Sequence, residues 1–260
     1  MAENRLIALI TDFGNNDHFV GTMKGVIYSI NPEARFVDIT HEIPRHDVLD
    51  ASLKLFQCYR YFPSQTVFLC VVDPGVGTPR HILTCSDGKY LYIAPDNGVL
   101  SFIFAENPDI NVYKVTYSHY FLDKVSNTFH GRDVFAPLAA HISKGLYPEE
   151  TGQLIKDYHK IVIPRAAKEK QDLITGHILG FDRFGNAITN IPNTMLEAKF
   201  ALKVNHHIIS QACDTYDEGA EAKLNMVKGS SGFLELFVKQ GNARKSFGLR
   251  RGTKLGVKLY

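Results

Sequence analysis

The sequence lacks the signatures of several large enzyme classes. It has no tryptophan, no GxGxxG or GxxxxGK glycine loop, no GxSxG and no HExxH. These absences argue against the common dinucleotide and phosphate loops, serine hydrolases and zinc enzymes. Its four cysteines show no CxxC spacing, and the sequence predicts no metal site; they are Cys58, Cys70, Cys85 and Cys213.

A large net charge and long apolar runs are also missing. The formal net charge is only +2, so nothing indicates binding to nucleic acid or to an acidic membrane surface. The apolar run at residues 6–10 is too short for a signal peptide or a spanning helix. Because Cys58 and Cys70 lie in apolar stretches, we expect reduced, buried thiols in a cytoplasmic protein.

The most informative stretch that is present is residues 66–80, TVFLCVVDPGVGTPR. Its unbroken apolar run, residues 67–72, predicts a strand that is buried on both faces. Asp73 ends the run, a glycine loop that can bring backbone close to a ligand follows, and Arg80 lies within reach of the carboxylate. Open α/β sheets place ligand sites at such strand ends.

The residues up to the end of this strand predict strands that alternate with helices. Residues 5–72 show the pattern strand, helix, strand, helix, strand, which builds a parallel sheet. In the first predicted helix, Gly21 and Gly25 lie four residues apart, where another backbone could approach closely. The fold prediction is an α/β domain, residues 1–168, with a mainly parallel sheet flanked by helices.

The remaining residues show a different sequence pattern. Short strand-like pieces at 176–182, 200–205, 233–238 and 254–259 alternate with Gly, Asn and Lys, and few helical patterns remain. Residues 169–260 are therefore predicted to form a smaller, all-β, barrel-like domain.

Several polar residues stand where chemistry is expected, each with a plainer alternative. Asp12 and Asp73 follow predicted strands, but a strand-end aspartate commonly caps the next loop or helix. His130 could act in catalysis or be an ordinary surface or core histidine. Arg80 could pair with Asp73 or be a surface charge.

Six motifs together are similar to one family. In order and spacing they resemble the S-adenosyl-L-methionine hydroxide adenosyltransferases, also called adenosylmethionine hydrolases, which are homologous to the fluorinase and chlorinase. The similarity covers nearly the whole chain, and DPGVG before Arg80 together with FHGRD is its most specific part. The motifs are ITDFG (10–14), DITHEIPRHDV (38–48), VVDPGVGTPR (71–80), APDNG (94–98), TFHGRDVFAP (128–137) and DRFGNAITNI (182–191).

The resemblance implies hydrolysis of S-adenosyl-L-methionine to adenosine and L-methionine, without a cofactor or metal. It also implies a homotrimer whose sites lie between the first domain of one subunit and the second domain of its neighbour. The residues implied to handle water are Asp73, Arg80 and His130.

The implied substrate contacts come from both domains. Asp12 matches the ribose-binding carboxylate, and His46 stands at a position that is aromatic in the fluorinase. Asp182 and Ser230 match the residues at the methionine end, and Ser231 replaces a fluorinase arginine. Adenine is expected near Phe184, Asn186, Tyr216 and the backbone of residues 238–240. Phe129 and Gly131 complete the predicted site, and Gly131 is expected to leave room where the fluorinase has a serine.

Two alternatives and one ambiguity remain at the level of sequence. A chlorinase-like, halide-using relative is disfavoured by the retained Asp73 and His130. A protein that senses S-adenosylmethionine or adenosine without converting it would have no use for residues that direct water. Either Asp73 or His130 could take the proton of the water, since the three groups are expected to titrate as a coupled set.

Overall fold

The chain folds into two compact units. The computed structural model describes residues 4–260, and the division between the units falls between Ile161 and Val162. The predicted boundary at 168/169 lies inside strand β8 (Ala167–Lys170), which pairs with β9 (Leu173–Phe181) of the second unit.

A mixed sheet forms the centre of the first unit. Strands β1 (Leu6–Thr11), β2 (Arg35–Thr40) and β3 (Val67–Val71) are parallel, as predicted, and β5 (Leu91–Pro95) pairs parallel with β3. Strands β4 (Ile82–Ser86), β6 (Asn111–Val115) and β7 (Gly152–Ile155) extend it antiparallel. Within residues 4–260 the sheet has seven strands in the order β2-β1-β3-β5-β4-β6-β7. The predicted α/β class is confirmed.

Helices cover this sheet with apolar faces. They are α1 (Phe19–Ile30), α2 (Val48–Cys58), α3 (Ser101–Glu106) and α4 (Ala136–Ser143). On α1, Met23 and Ile27 are fully buried and belong to the same core as Leu69 of β3. Within residues 4–260 no backbone approaches Gly21 or Gly25, since both are exposed and a Cβ at either would meet open space.

The second unit is an antiparallel, barrel-like sheet, as predicted. The long strand β9 pairs through its first half with β15 (Lys254–Leu259) and through its second half with β10 (Ala187–Pro192). The other elements are β11 (Phe200–Val204), β12 (His207–Ile209), β13 (Asn225–Lys228), β14 (Phe233–Phe237) and the short helix α5 (Ala243–Ser246). Strands β8, β10, β12 and β13 were not predicted. The core of this unit is aliphatic, with Ile174, Leu202, Leu234 and Val257 fully buried.

Two further observations bear on the class of protein. Over residues 4–260, no helix combines the length and the apolar character needed to cross a bilayer. The four cysteines are free thiols, and burial raises the pKa of Cys58 to about 11. These thiols are therefore protonated at neutral pH.

We expect the packing of β3 to dominate the stability of the first unit. Leu69→Ala removes a fully buried side chain and should lower the free energy of unfolding by about 2–5 kcal/mol, measured by urea denaturation. Leu154→Ala is the matched control, since this leucine of β7 is 57% exposed and should change stability by about 0.5 kcal/mol or less. Equal losses in the two variants would contradict this assignment of the core.

Candidate active site

A buried ion pair lies just beyond the end of β3. Arg80 donates from Nε to both carboxylate oxygens of Asp73, at 2.7 and 2.8 Å, and its Nη2 also donates to Oδ2. The two side chains are only 6% (Asp73) and 8% (Arg80) exposed. The alternative that Arg80 is a surface charge is therefore wrong. Such a fork holds a carboxylate in one orientation.

His130 joins this pair through the same arginine. Nη2 of Arg80 lies 3.1 Å from Nδ1 of His130, and because arginine can only donate, Nδ1 must accept. The proton of the neutral ring is therefore on Nε2. Burial and then the positive charge of Arg80 lower the pKa of His130, although Asp73 and Asp133 oppose this. A neutral imidazole is thus favoured at neutral pH.

The glycine loop after Asp73 approaches another loop of the protein. Gly77 has a φ of +78°, and a Cβ there would lie 2.5 Å from the carbonyl oxygen of Asn127. Gly75 donates its N–H to Asp73 Oδ1 at 3.2 Å. Gly77 thus lets this loop pack against the loop that leads to His130. The approach of its backbone to a ligand stays a prediction.

His130 is followed by one π-helical turn, Gly131–Phe135, which runs into α4. Such turns are rare and occur frequently at functional sites. Gly131 does not leave open room as expected. A Cβ on it would lie 3.1–3.3 Å from Phe129, Phe13 and Met23, so this glycine allows close packing of side chains.

Asp12 is placed by the turn that follows β1. Its carboxylate accepts the N–H of His46 at 2.9 Å, and its side chain is 8% exposed. His41 fixes the same turn, because its carbonyl accepts the N–H of Gly14 at 2.8 Å and its Nδ1 lies 2.9 Å from the Thr11 hydroxyl. His46 has a φ of +64° and a side chain that is 70% exposed.

These elements line an open cavity of about 350 Å³ in the first unit. Six predicted residues line it, namely Asp12, His46, Asp73, Phe129, His130 and Gly131. Sequence analysis missed Phe13 and Phe19, whose rings pack against Phe129 at centroid distances of 6.0 and 5.1 Å. Phe13 could have been predicted, because it follows Asp12 directly in the ITDFG motif. The other lining residues are Asp17, Arg45, Val71, Val76 and Thr128.

The predicted residues of the second unit form their own cluster. Asn186 donates its backbone N–H and its side-chain amide to Asp182, at 2.8 and 2.9 Å. Gly185 has a φ of +86°, and a Cβ on it would lie 2.2 Å from Asn242, so the turn requires glycine. Phe184, at the tip of this turn, is 73% exposed.

Tyr216 marks a buried carboxylate that the sequence did not reveal. The tyrosine is 47% exposed, and its hydroxyl donates to Glu235 of β14 at 2.7 Å. Burial raises the pKa of Glu235, and the nearby charge of Asp182 adds to this effect. Ser230 is exposed and Ser231 is half-buried. The signal for Glu235 was a charge between Leu234 and Leu236, which are both buried.

No metal cluster accompanies these residues. Among residues 4–260, no group of three or more His, Cys, Asp or Glu side chains could hold an ion. Metal independence nevertheless stays a prediction, since it concerns the reaction.

Models of protein families match both units. The N-terminal domain of the SAM hydroxide adenosyltransferases matches residues 7–152, and the C-terminal domain of the same family matches residues 176–256. The chain belongs to this family. The resemblance noted in the sequence is therefore confirmed.

Individual relatives agree with this assignment. The chain is 33% identical to the (R)-S-adenosyl-L-methionine hydrolase of Thermus thermophilus, with 95% of this chain and 97% of the relative covered. It is 30% identical to the fluorinase of an Actinoplanes species, covering 75% of this chain and 74% of the relative. The crystal structure of an uncharacterised conserved protein from Thermotoga maritima superposes with a TM-score of 0.90 at 32% identity, over 97% and 100% of the two chains.

The electrostatics of His130 can be tested directly. Because the positive charge of Arg80 lowers the pKa of His130, Arg80→Gln should raise this pKa, measured by NMR titration of the ring protons. Arg60→Gln is the control, since Arg60 pairs instead with Glu106. An unchanged or lower pKa in Arg80→Gln would show that the arginine does not act on the ring.

Proposed function

We propose that this protein hydrolyses S-adenosyl-L-methionine to adenosine and L-methionine. The observation that carries the proposal is the group formed by Asp73, Arg80 and His130 at the wall of a cavity, in a chain of this family. Relatives named (R)-S-adenosyl-L-methionine hydrolase that match nearly the full length of the chain support it.

The reaction replaces a carbon–sulfur bond with a carbon–oxygen bond. A water oxygen attacks C5′ of the substrate, the C5′–S bond breaks, and its electron pair stays on sulfur. The sulfonium thus leaves as the neutral thioether of methionine, so the leaving group needs no general acid. The water loses one proton. The task of the protein is to hold this water in line with C5′ and to accept its proton.

The hydrogen bonds favour Asp73 as the proton acceptor. The lone pair at Nδ1 of His130 faces Arg80, whereas the carboxylate of Asp73 has about four lone-pair sites for three N–H groups, two from Arg80 and one from Gly75. In this assignment His130 acts as a neutral donor through Nε2 and orients the water. Arg80 donates to both side chains and so holds them in place.

The remaining predicted residues are assigned to substrate binding. Asp12 would accept hydrogen bonds from the ribose hydroxyls, while His46, Phe129 and Gly131 line the same cavity. In the second unit, Asp182 is proposed at the methionine end together with Ser230 and Ser231. Phe184, Asn186 and Tyr216 are proposed for adenine. We propose no resident cofactor or metal, since the departing sulfur loses charge.

The activity is tested by incubating the pure protein with S-adenosylmethionine and separating the products by chromatography. Asp73→Asn and His130→Gln should each lower kcat by about 10²-fold or more. Asp172→Asn changes a half-exposed carboxylate that pairs with Lys258, and it should keep full activity. Absence of adenosine and methionine above the blank without enzyme would overturn the proposal.

The same assay separates the two alternatives. Added chloride or fluoride should yield no halogenated nucleoside, and formation of one would indicate a halide-using enzyme. A binding protein would retain the ligand through gel filtration and release no product over hours.

We further propose a homotrimer that acts in the cytoplasm, with each site shared between the first unit of one subunit and the second unit of its neighbour. The free thiols fit a reducing compartment. Light scattering should give three times the chain mass of 29.2 kDa.

Sharing of the site predicts complementation between inactive variants. Asp73→Asn and Asp182→Ala are each expected to be inactive alone. Coexpression in equal amounts should restore about a quarter of the sites, because some contain an intact first unit from one variant and an intact second unit from the other. If both halves of a site come from one subunit, the mixture will stay inactive.

A further inference from the structure

Asp133 is a buried carboxylate to which the proposed chemistry assigns no role. It lies in the π-helical turn after His130, and its side chain is 1% exposed. Its Oδ2 accepts the backbone N–H of Ser126 at 2.8 Å and the Ser126 hydroxyl at 2.6 Å. Arg132 donates to Oδ1 at 2.5 Å and to Oδ2 at 3.1 Å. A charge is buried at this depth only when such donors compensate it.

These bonds extend to the residue before His130. The Ser126 hydroxyl accepts the N–H of Phe129 at 3.1 Å, while the carbonyl of Phe129 accepts the N–H groups of Arg132 and Asp133, each at 3.1 Å. The backbone of Phe129 is thus held on both sides. The carbonyl of Asp133 also accepts the N–H of Leu122 at 2.9 Å, which fixes the turn itself.

The same contacts act on the ring of His130. The backbone of Ser126 and the negative charge of Asp133 both raise the pKa of His130, against burial and the charge of Arg80. The charged groups that act on His130 are Arg80 and Asp73 from the glycine loop and Asp133 from the π-helical turn.

We infer that Asp133 is a positioning residue for His130: its carboxylate fixes Ser126, and through Ser126 and Phe129 it sets where the imidazole stands against Arg80. The assignment of a catalytic consequence rests on the proposed function. The placement of the ring does not, because it can be measured without substrate.

Mere stabilisation of the fold is the competing explanation, and a matched variant separates the two. Asp50 is also a buried carboxylate of the first unit, at 4% exposure, and it pairs with Lys54 within α2. Asp133→Asn and Asp50→Asn therefore make the same chemical change at similar burial. Both should lower the melting temperature.

The two variants should differ in catalysis and in the titration of His130. In Asp133→Asn one carboxylate oxygen becomes an NH2 group that cannot accept, so the bonds to Ser126 and Arg132 cannot all be kept. We therefore expect kcat to fall by about 10-fold or more with KM within about threefold. The pKa of His130, measured by NMR of the ring protons, should fall below that of the wild type, because a negative charge is removed. Asp50→Asn should leave both readouts unchanged.

Ser126→Ala provides a second test if Asp133→Asn fails to fold. It removes the hydroxyl link to Phe129 but keeps the backbone N–H on Asp133, so kcat should fall less, by about threefold, with a detectable shift of the His130 resonances. If His130 titrates in both variants as it does in Asp50→Asn, the inference is wrong. If the wild type does not hydrolyse S-adenosylmethionine but these shifts of His130 appear, the proposed function fails and the positioning role stands.

Discussion

The buried pair of Asp73 and Arg80 is the interaction on which the candidate site depends. Taking two charges out of water costs several kcal/mol per ion, and this is offset only when the geometry is good and the remaining donors find partners. Arg80 meets this condition by donating to both oxygens of Asp73 and to Nδ1 of His130. One arginine thereby fixes the tautomer of a histidine and the orientation of both the histidine and the carboxylate.

The arrangement needs two loops that are distant in sequence to stay in contact. Gly77 allows the loop after β3 to approach the carbonyl of Asn127, and Asp133 ties down Ser126 next to it. The parallel pairing of β1 with β3 brings the Asp12 turn to the same edge of the sheet. The parallel sheet therefore brings the loops to one edge, and contacts of specific residues hold these loops in place.

Sequence patterns predicted those features whose causes are local. An unbroken apolar run fixed β3 as a buried strand, and the seven-residue spacing made the pair of Asp73 and Arg80 plausible. The patterns could not show what Gly77 or Gly131 packs against, because each contacts residues far along the chain. They also missed Glu235, since the tyrosine that covers it lies 19 residues earlier.

The charge balance of the cavity fits the proposed substrate. Arg80 neutralises Asp73, and the lowered pKa of His130 keeps the ring uncharged at neutral pH, so the water-handling group as a whole carries no net charge. The other charged lining residues are Asp12, Asp17 and Arg45, so the wall of the cavity has a formal net charge of about −1. An acidic wall attracts a sulfonium cation and holds the neutral thioether less strongly. Loss of the charge on sulfur during the reaction therefore weakens binding of the methionine product.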